Sequence, residues 1–539
     1  MGDVTGLPGV AAAAAPRGWS ARARSVRRLR CVAVVATLLV ALGAPGWAEA
    51  PQDEPRVLLL YTNDIHDHVR PGADGVGGLP WVAGYVAGVR AQRDDVLLLD
   101  AGDAAEKGDL VAFLTHSELT FEAMGRIGYD AIAVGNHEHN LGLNQLRRLD
   151  ALTGHRLLAL NFIGADGLPM FAPSRVFERG GARIAVIGMA LPRTHDTLDF
   201  AASAQALGRH AVMLREQAAA DLVVVVAHVG TEDASRWSRA APEVDVFVTG
   251  HTHQTLEAPL RVPETGALLV QAGANARKVG RLELALRHGE RPDVLSAEIV
   301  VLDHERSAPD EAMLAWIKQR EAELAPGAGE VVVQLEAPLG WFAIARLSAA
   351  AIRHHAQADI GLYHPTHVVR NPLVPGAVTV NDLFRAASDR GHPLVEVELS
   401  GTEIEAYLLA LARRDPRRWG ETQWSGFRVT RSGDGALTTD LETSRRYRVV
   451  MPQREWEKRF LRLTEQLQGA ERDGPLAARA FTARPAGFSS VDALAGYLAD
   501  LPESVEQTLA RLAAAQGDAD PLEATAEALF MARTYRNAE

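Results

Sequence analysis

The chain has 539 residues, of which 47% are apolar, and its 68 acidic against 56 basic side chains give a formal charge of −12. That length suits roughly three to four domain-sized units with at least one large core, and the acidic balance argues against a nucleic-acid polymer as partner. The only cysteine is Cys31, so disulfides, cysteine ligands and a cysteine nucleophile are excluded from everything beyond it.

The first fifty residues read as a signal peptide. Arg17, Arg22, Arg24, Arg27, Arg28 and Arg30 form a basic region, Val32 to Leu42 an apolar one, and Ala48-Glu49-Ala50 a small-x-small cleavage site. Gly43, Pro45 and Gly46 stop the apolar run short of the about twenty residues a membrane span needs. A periplasmic or secreted protein with no stable span after cleavage is expected, and Arg27-Arg28 leaves a twin-arginine route open. Cleavage would leave 50 basic against 66 acidic residues, a charge of −16.

From about Arg56 to Asp303, apolar runs alternate with helical stretches such as Glu118 to Ile127 and Ala204 to Ala219, the rhythm of an α/β domain. Five of the runs, Val57 to Leu60, Val96 to Leu99, Ala131 to Val134, Leu222 to Val226 and Val246 to Val248, suit strands buried on both faces. Residues 306–329 form a charged amphipathic linker helix closed by Pro326-Gly327. A second α/β region follows over 330–500, with strands predicted at Val331 to Leu335, Leu394 to Leu399 and Tyr447 to Met451, and helices at Ser348 to Ala356 and Gly401 to Arg413. Residues 501–539 read as a helical tail.

Each of the five N-terminal runs ends in a polar motif: Asp64-Ile65-His66, Gly102-Asp103, Gly135-Asn136-His137-Glu138, His228 and Gly250-His251-Thr252-His253. The carboxyl ends of strands in an open α/β sheet line its ligand crevice, so these motifs converge on one point. Their carboxylate, amide and imidazole donors suit two hard or borderline divalent metals such as Mn²⁺ or Zn²⁺. Asp64 and His66 alternate along extended chain and face one ion, while Asp103 is placed to bridge two. A metal pair also inverts the local field, so an acidic protein still accepts a small phosphate ester.

In these motifs, including the fuller Thr62-Asn63-Asp64-Ile65-His66, the chain resembles the calcineurin-like metallophosphoesterases, and more narrowly the 5′-nucleotidase and periplasmic UDP-sugar hydrolase family. The resemblance implies an N-terminal four-layer α/β/β/α catalytic domain over 51–305 and a smaller α/β C-terminal substrate domain. It implies that Asp64, His66, Asp103 and His253 hold one metal and Asp103, Asn136, His228 and His251 the other. His137 then contacts the phosphoryl group, and a metal-bound hydroxide attacks phosphorus to release phosphate from a nucleotide or related small ester. Two positions depart from the family. Asn140 stands where an acidic partner of His137 is common, and Asp67 stands where Gly is common, either as a supporting acid or as a solvated one.

The resemblance weakens after about residue 300. Arg370 falls where an arginine follows the family's glycine-rich turn, either gripping a phosphate or carboxylate in bidentate fashion or lying on the surface. Thr366-His367-Val368-Val369 replaces the glycines of that turn. Phe427, in Ser425-Gly426-Phe427, is expected to supply one ring against a nucleobase, and a charged stretch, Pro452 to Gln468, replaces the family's second aromatic loop. Two alternatives to a nucleotidase remain: a thiosulfohydrolase-like sulfur-ester hydrolase, though His139-Asn140-Leu141 replaces that branch's usual extension, and a binding protein that has kept the phosphatase fold without turnover.

Overall fold

A computed structural model describes residues 54–517 with interruptions at 73, 165, 193–195, 365–368, 370, 389, 391, 415–421, 434–435, 467–473 and 478–479. The expected signal peptide, Arg370 and the tail beyond Gly517 lie outside the described residues.

Twelve strands build the first region: β1 (Arg56–Thr62), β2 (Val96–Asp100), β3 (Ala131–Ala133), β4 (Leu157–Leu158), β5 (Ser174–Arg179), β6 (Ala182–Met189), β7 (Leu222–Ala227), β8 (Val246–Thr249), β9 (Leu260–Arg261), β10 (Leu268–Val270), β11 (Lys278–Ala285) and β12 (Asp293–Val301). They form two six-stranded sheets, ordered β12-β11-β1-β2-β3-β4 and β5-β6-β7-β8-β10-β9. The inner strands β1 to β4 are parallel, as are β6, β7, β8 and β10, with antiparallel strands at the flanks.

Alternation along each strand explains the layering, because successive side chains leave opposite faces. Val57, Leu59, Leu97 and Leu99 turn toward the second sheet and meet Ile184, Val186, Val224 and Val248 in a dry core between the two. Leu58, Leu60 and Leu98 turn the other way, onto Trp81, Phe121 and Met124 of the helices Leu79–Arg90 and Glu118–Ile127. On the far side, Ile187, Val223, Val225 and Phe247 pack against Leu207, Leu214 and Trp237 of the helices Phe200–Gln217 and Thr231–Ala240. Helix, sheet, sheet, helix is the four-layer order expected. Each such Leu, Val or Phe contributes about 1.5–3 kcal/mol on burial, which is why runs apolar on both faces can sit only here.

The linker helix is shorter than expected, Glu311–Leu324, because Asp310 caps it by accepting the Met313 N–H at 2.8 Å. Its Met313 and Ile317 enter the first core, so it belongs to that packing. The second region holds β13 (Val331–Leu335), β14 (Ile360–Tyr363), β15 (Gly376–Thr379), β16 (Leu394–Ser400), β17 (Gln423–Ser425), β18 (Val429–Arg431), β19 (Leu437–Thr439), β20 (Arg446–Pro452) and β21 (Arg484–Pro485). Its main sheet is ordered β17-β14-β20-β16-β21, with β13-β15 and β18-β19 as separate pairs. Helices Trp341–Ala356, Val380–Ala387 and Ser490–Ala499 cover one face, and Gly401–Arg414 the other.

The two regions touch through buried polar groups. Asn381 donates its amide to Asp109 Oδ1 at 2.8 Å and accepts the Leu110 N–H at 2.8 Å, beside the paired rings of Phe113 and Phe384. Nearby, Arg390 donates to the Lys107 carbonyl. These contacts carry the second region to the loop that follows Asp103.

Candidate metal centre

The site lies where strands of both sheets end. Asp64 and His66 follow β1, Asp103 follows β2, Asn136 and His137 open the short helix Asn136–Asn140 after β3, His228 follows β7, and His251 and His253 follow β8. Five of these residues adopt left-handed backbone: Asp64 (φ 52°), His66 (50°), Asp103 (55°), His251 (67°) and His253 (55°). For residues with a Cβ that conformation costs on the order of 1–2 kcal/mol each, and it persists because the surrounding packing fixes it. Such turns bring successive side chains to one side of the chain.

Three groups of donors result, each with its atoms within 4.8 Å of one another: Asp64 with His66 and His253, His66 with Asp103 and His137, and Asp103 with His228 and His251. In the first, His66 Nε2 and His253 Nε2 are 3.1 Å apart, and Asp64 Oδ1 lies 3.2 Å from the His253 nitrogen. In the third, His228 Nε2 lies 3.0 Å from Asp103 Oδ2. Asp103 is shared by the second and third groups, as His66 is by the first and second. Asn136 joins them by position, directly before His137, whose N–H donates to Asp103 Oδ1 at 2.9 Å.

The donors are aimed. Asp64 Oδ2 accepts from the Asn63 amide (2.8 Å) and the His251 N–H (3.0 Å), which leaves Oδ1 pointing into the site. His228 Nδ1 donates to the Ala101 carbonyl at 2.9 Å and His66 Nδ1 faces the Ala105 carbonyl at 3.2 Å, so both present Nε2 inward, the arrangement that orients a ligating imidazole. Glu138 holds the floor: its carboxylate accepts the N–H groups of Gly135 (2.7 Å), Asp103 (3.0 Å) and Ala105 (2.8 Å). Gly135 is required there, since a Cβ at that position would fall 2.1 Å from Asp103 Oδ1.

Buried atoms identify what the donors await. Asp64 Oδ1, Asn136 Oδ1 and His228 Nε2 are all buried and make no hydrogen bond among the described residues; the contact of His228 with Asp103 is of ion-pair distance only. A buried polar atom without a hydrogen bond costs about 1–3 kcal/mol, and Asp64 Oδ1 and His228 Nε2, each within a mixed O/N donor group, fit divalent metal. Burial, followed by the Lys107 ammonium 3.2 Å from Nε2, holds His66 well below the usual histidine range and therefore neutral, as a ligand must be. His228 goes the other way, to about 9: burial opposes its charge, but the Asp103 carboxylate beside it wins. A metal would take the place of that proton.

Some side chains are not where the sequence reading put them. Asp67 is buried rather than solvated, and it accepts the Glu106 N–H (2.7 Å), the Ser117 hydroxyl (2.8 Å) and the Thr120 hydroxyl. Phe427, expected to face a base, is 6% exposed and lies stacked on Trp424 in the second core, with centroids 5.8 Å apart. Phe427→Ala is therefore expected to destabilise the protein by about 3–5 kcal/mol, read from urea unfolding, with the KM of the folded fraction unchanged. A raised KM without loss of stability would return the ring to the substrate. The reading also missed Glu106, Lys107 and the role of Glu138. Glu106 Oε2 contacts His137 Nδ1 and Lys107 reaches His66, both from the turn after Gly102-Asp103. Their signal was a charged pair in the otherwise small-residue stretch Gly102 to Gly108.

The fold and these donor groups define a metal-dependent phosphoesterase. Residues 58–255 match the calcineurin-like phosphoesterase family and residues 335–453 the 5′-nucleotidase C-terminal domain. The chain therefore carries a calcineurin-like phosphoesterase domain followed by a 5′-nucleotidase C-terminal domain. It is 25% identical over 476 residues to Protein UshA of Yersinia enterocolitica, covering 76% of this chain and 86% of that one, and 24% identical over 498 residues to a 5′-nucleotidase of Vibrio cholerae (78% and 88%). In fold it is similar to a 5′-nucleotidase precursor of Thermus thermophilus (22% identity, TM-score 0.61, 83% of this chain and 96% of that one) and to a sulfate thiohydrolase of the same species (17%, 0.58, 88% and 97%).

Proposed function

We propose that the protein is an exported, two-metal, 5′-nucleotidase-like hydrolase that releases phosphate from nucleotides or related small esters. The observation that carries this is the set of Asp and His donor groups at the strand ends, in which the buried Asp64 Oδ1 and His228 Nε2 make no hydrogen bond. The names of the Yersinia and Vibrio relatives support the substrate class. Asp64, His66, Asp103 and His253 would hold one ion and Asp103, Asn136, His228 and His251 the other, with Mn²⁺ or Zn²⁺ suited to that mixture. The catalytic domain would run over 51–305 and the substrate domain, with Arg370, over 330–500.

When bound, two such ions lower the pKa of a water and neutralise phosphoryl charge. The remaining work falls to the chain's own groups. Asp103 Oδ1 fixes the backbone of His137, whose ring stands edge-on to His66 at 86° with Nε2 3.8 Å from Asp103 Oδ2. From there Nε2 is placed to donate a hydrogen bond to a phosphoryl oxygen as charge develops on it, a contribution that grows toward the transition state. His253, 42% exposed, is the donor on the open side, where an ester would enter.

A release screen over AMP, cyclic nucleotides, nucleotide sugars and 4-nitrophenyl phosphate tests the reading. With Mn²⁺ or Zn²⁺ present, phosphate is expected from at least one class. EDTA should abolish it and lower the melting temperature, and returned metal should restore both. No phosphate from any ester at full occupancy would refute the assignment; sulfate from a sulfur ester in the same assay would move it to the thiosulfohydrolase branch.

A further inference from the structure

We infer that Glu106 is the positioning carboxylate of His137, and that Asp67, Asn140 and the strained turn at 106–107 exist to hold it there; this rests on the hydrolase reading above. The two departures from the family, Asn140 for an acid and Asp67 for glycine, are then parts of one device. Asn140 does not partner His137. Its amide lies near the Glu106 carboxyl and favours the charged form, and the Glu106 Oε2 in turn contacts His137 Nδ1. The acid has moved from the helix that carries the histidine to the loop after β2.

That loop cannot adopt its conformation unaided. Glu106 (φ 60°) and Lys107 (φ 75°) are consecutive left-handed residues, an arrangement that costs on the order of 1–2 kcal/mol at each. Asp67 offsets the strain. Its buried carboxylate takes the Glu106 N–H, while the Ser117 and Thr120 hydroxyls fix the carboxylate from behind. Gly108 closes against the same residue, since a Cβ there would fall 2.0 Å from the Asp67 carbonyl. Arg390 of the second region then takes the Lys107 carbonyl. With the loop pinned at both ends, Glu106 takes the Nδ1–H and orients the ring, so that a proton carried on Nε2 faces Asp103 and the reacting centre.

The test relocates the acid. Residue 140 lies one helical turn after His137, on the same face, so a carboxylate there can outcompete an amide oxygen at residue 106 for Nδ1. Glu106→Gln keeps the shape and removes the charge, and it is expected to lower kcat by about 10- to 100-fold with KM and metal content within about twofold. Adding Asn140→Asp to that variant should recover most of the loss. A second readout does not depend on turnover: in the metal-loaded protein labelled with ¹⁵N-histidine, the Nδ1–H signal of His137 should lie far downfield, move upfield in Glu106→Gln, whose neutral amide oxygen is a weaker acceptor, and return downfield in the double variant. A Glu106→Gln protein with undiminished kcat, or a double variant that regains neither kcat nor the downfield signal, overturns the inference. If the unsubstituted protein hydrolyses nothing, the hydrolase reading falls, and the Nδ1–H signal alone decides the pairing.

Discussion

Asp103→Ala is expected to lower kcat/KM by about 10⁴, near 5.5 kcal/mol of transition-state stabilisation, and to take bound metal below one ion per chain. Asp103 is the one carboxylate among the described residues that two donor groups share. Its Oδ2 faces His228 at 3.0 Å and His137 Nε2 at 3.8 Å, its Oδ1 holds the His137 backbone, and it belongs to two of the three donor groups. Asp103→Asn separates shape from charge. It keeps an oxygen for the His137 N–H yet loses the anion that two cations need between them, so it should fall nearly as far. Unfolding would be a trivial cause of both losses, so kcat/KM is compared at a temperature where circular dichroism shows each variant folded. Asp64 and Asp103 crowd the buried Asp100 and Glu138, and burial with this repulsion raises those two carboxyls to about 7 and about 8. Burial opposes the charge of Asp103, but the imidazoles of His228, His66 and His137 hold its carboxyl well below the usual carboxylate range, so removing it from the metal-free protein loses that attraction; the melting temperature should fall, and the gain on adding metal should disappear. A variant with more than a tenth of the original kcat/KM, or one that binds metal normally, would remove Asp103 from the bridging role.

Crowded carboxylates of this kind are a cost that function imposes on the fold, and they mark the boundary of what the chain's text makes legible. The buried strands were readable because runs such as Leu222 to Val226 have no polar residue to place outside. Glu118–Ile127 falls where expected because Gly128, at φ 83°, stops it. Helix starts were less visible. Phe200–Gln217 begins four residues before the expected Ala204, because the Asp199 side chain takes the Ala202 N–H, a cap that outweighs the weak periodicity after it. The helix Trp341–Ala356 starts seven residues before Ser348 behind Gly340, which offers no side chain to cap with. The ligands were legible as types at strand ends. Their left-handed backbone was not, since nothing local makes Asp64 or His251 choose it. Glu106 was illegible for a related reason: its partners Asp67, Asn140 and His137 come from other segments, and only the folded sheet brings them together.

In the second region, Glu455→Gln is expected to stabilise the protein at pH 8 by on the order of 3 kcal/mol and to have a much smaller effect at pH 5. Glu455 follows β20, is 2% exposed, takes the backbone N–H of His364 at the end of β14, and has its Oε2 unpaired among the described residues. Burial outweighs the nearby Arg459 and pushes its carboxyl up to about 7, against about 4.3 for a glutamate in unfolded chain. Between those two values the folded protein keeps a proton that the unfolded chain has released. Stability therefore falls as pH rises from about 4.3 to about 7, and the full cost persists above that. The amide carries no charge at any pH, so the variant escapes the cost while its oxygen still accepts from His364. Urea unfolding at the two pH values measures the difference directly. An equal effect at both would mean that Glu455 is charged in the folded state throughout, and the strand-end contact of β14 and β20 would then be an ionic one.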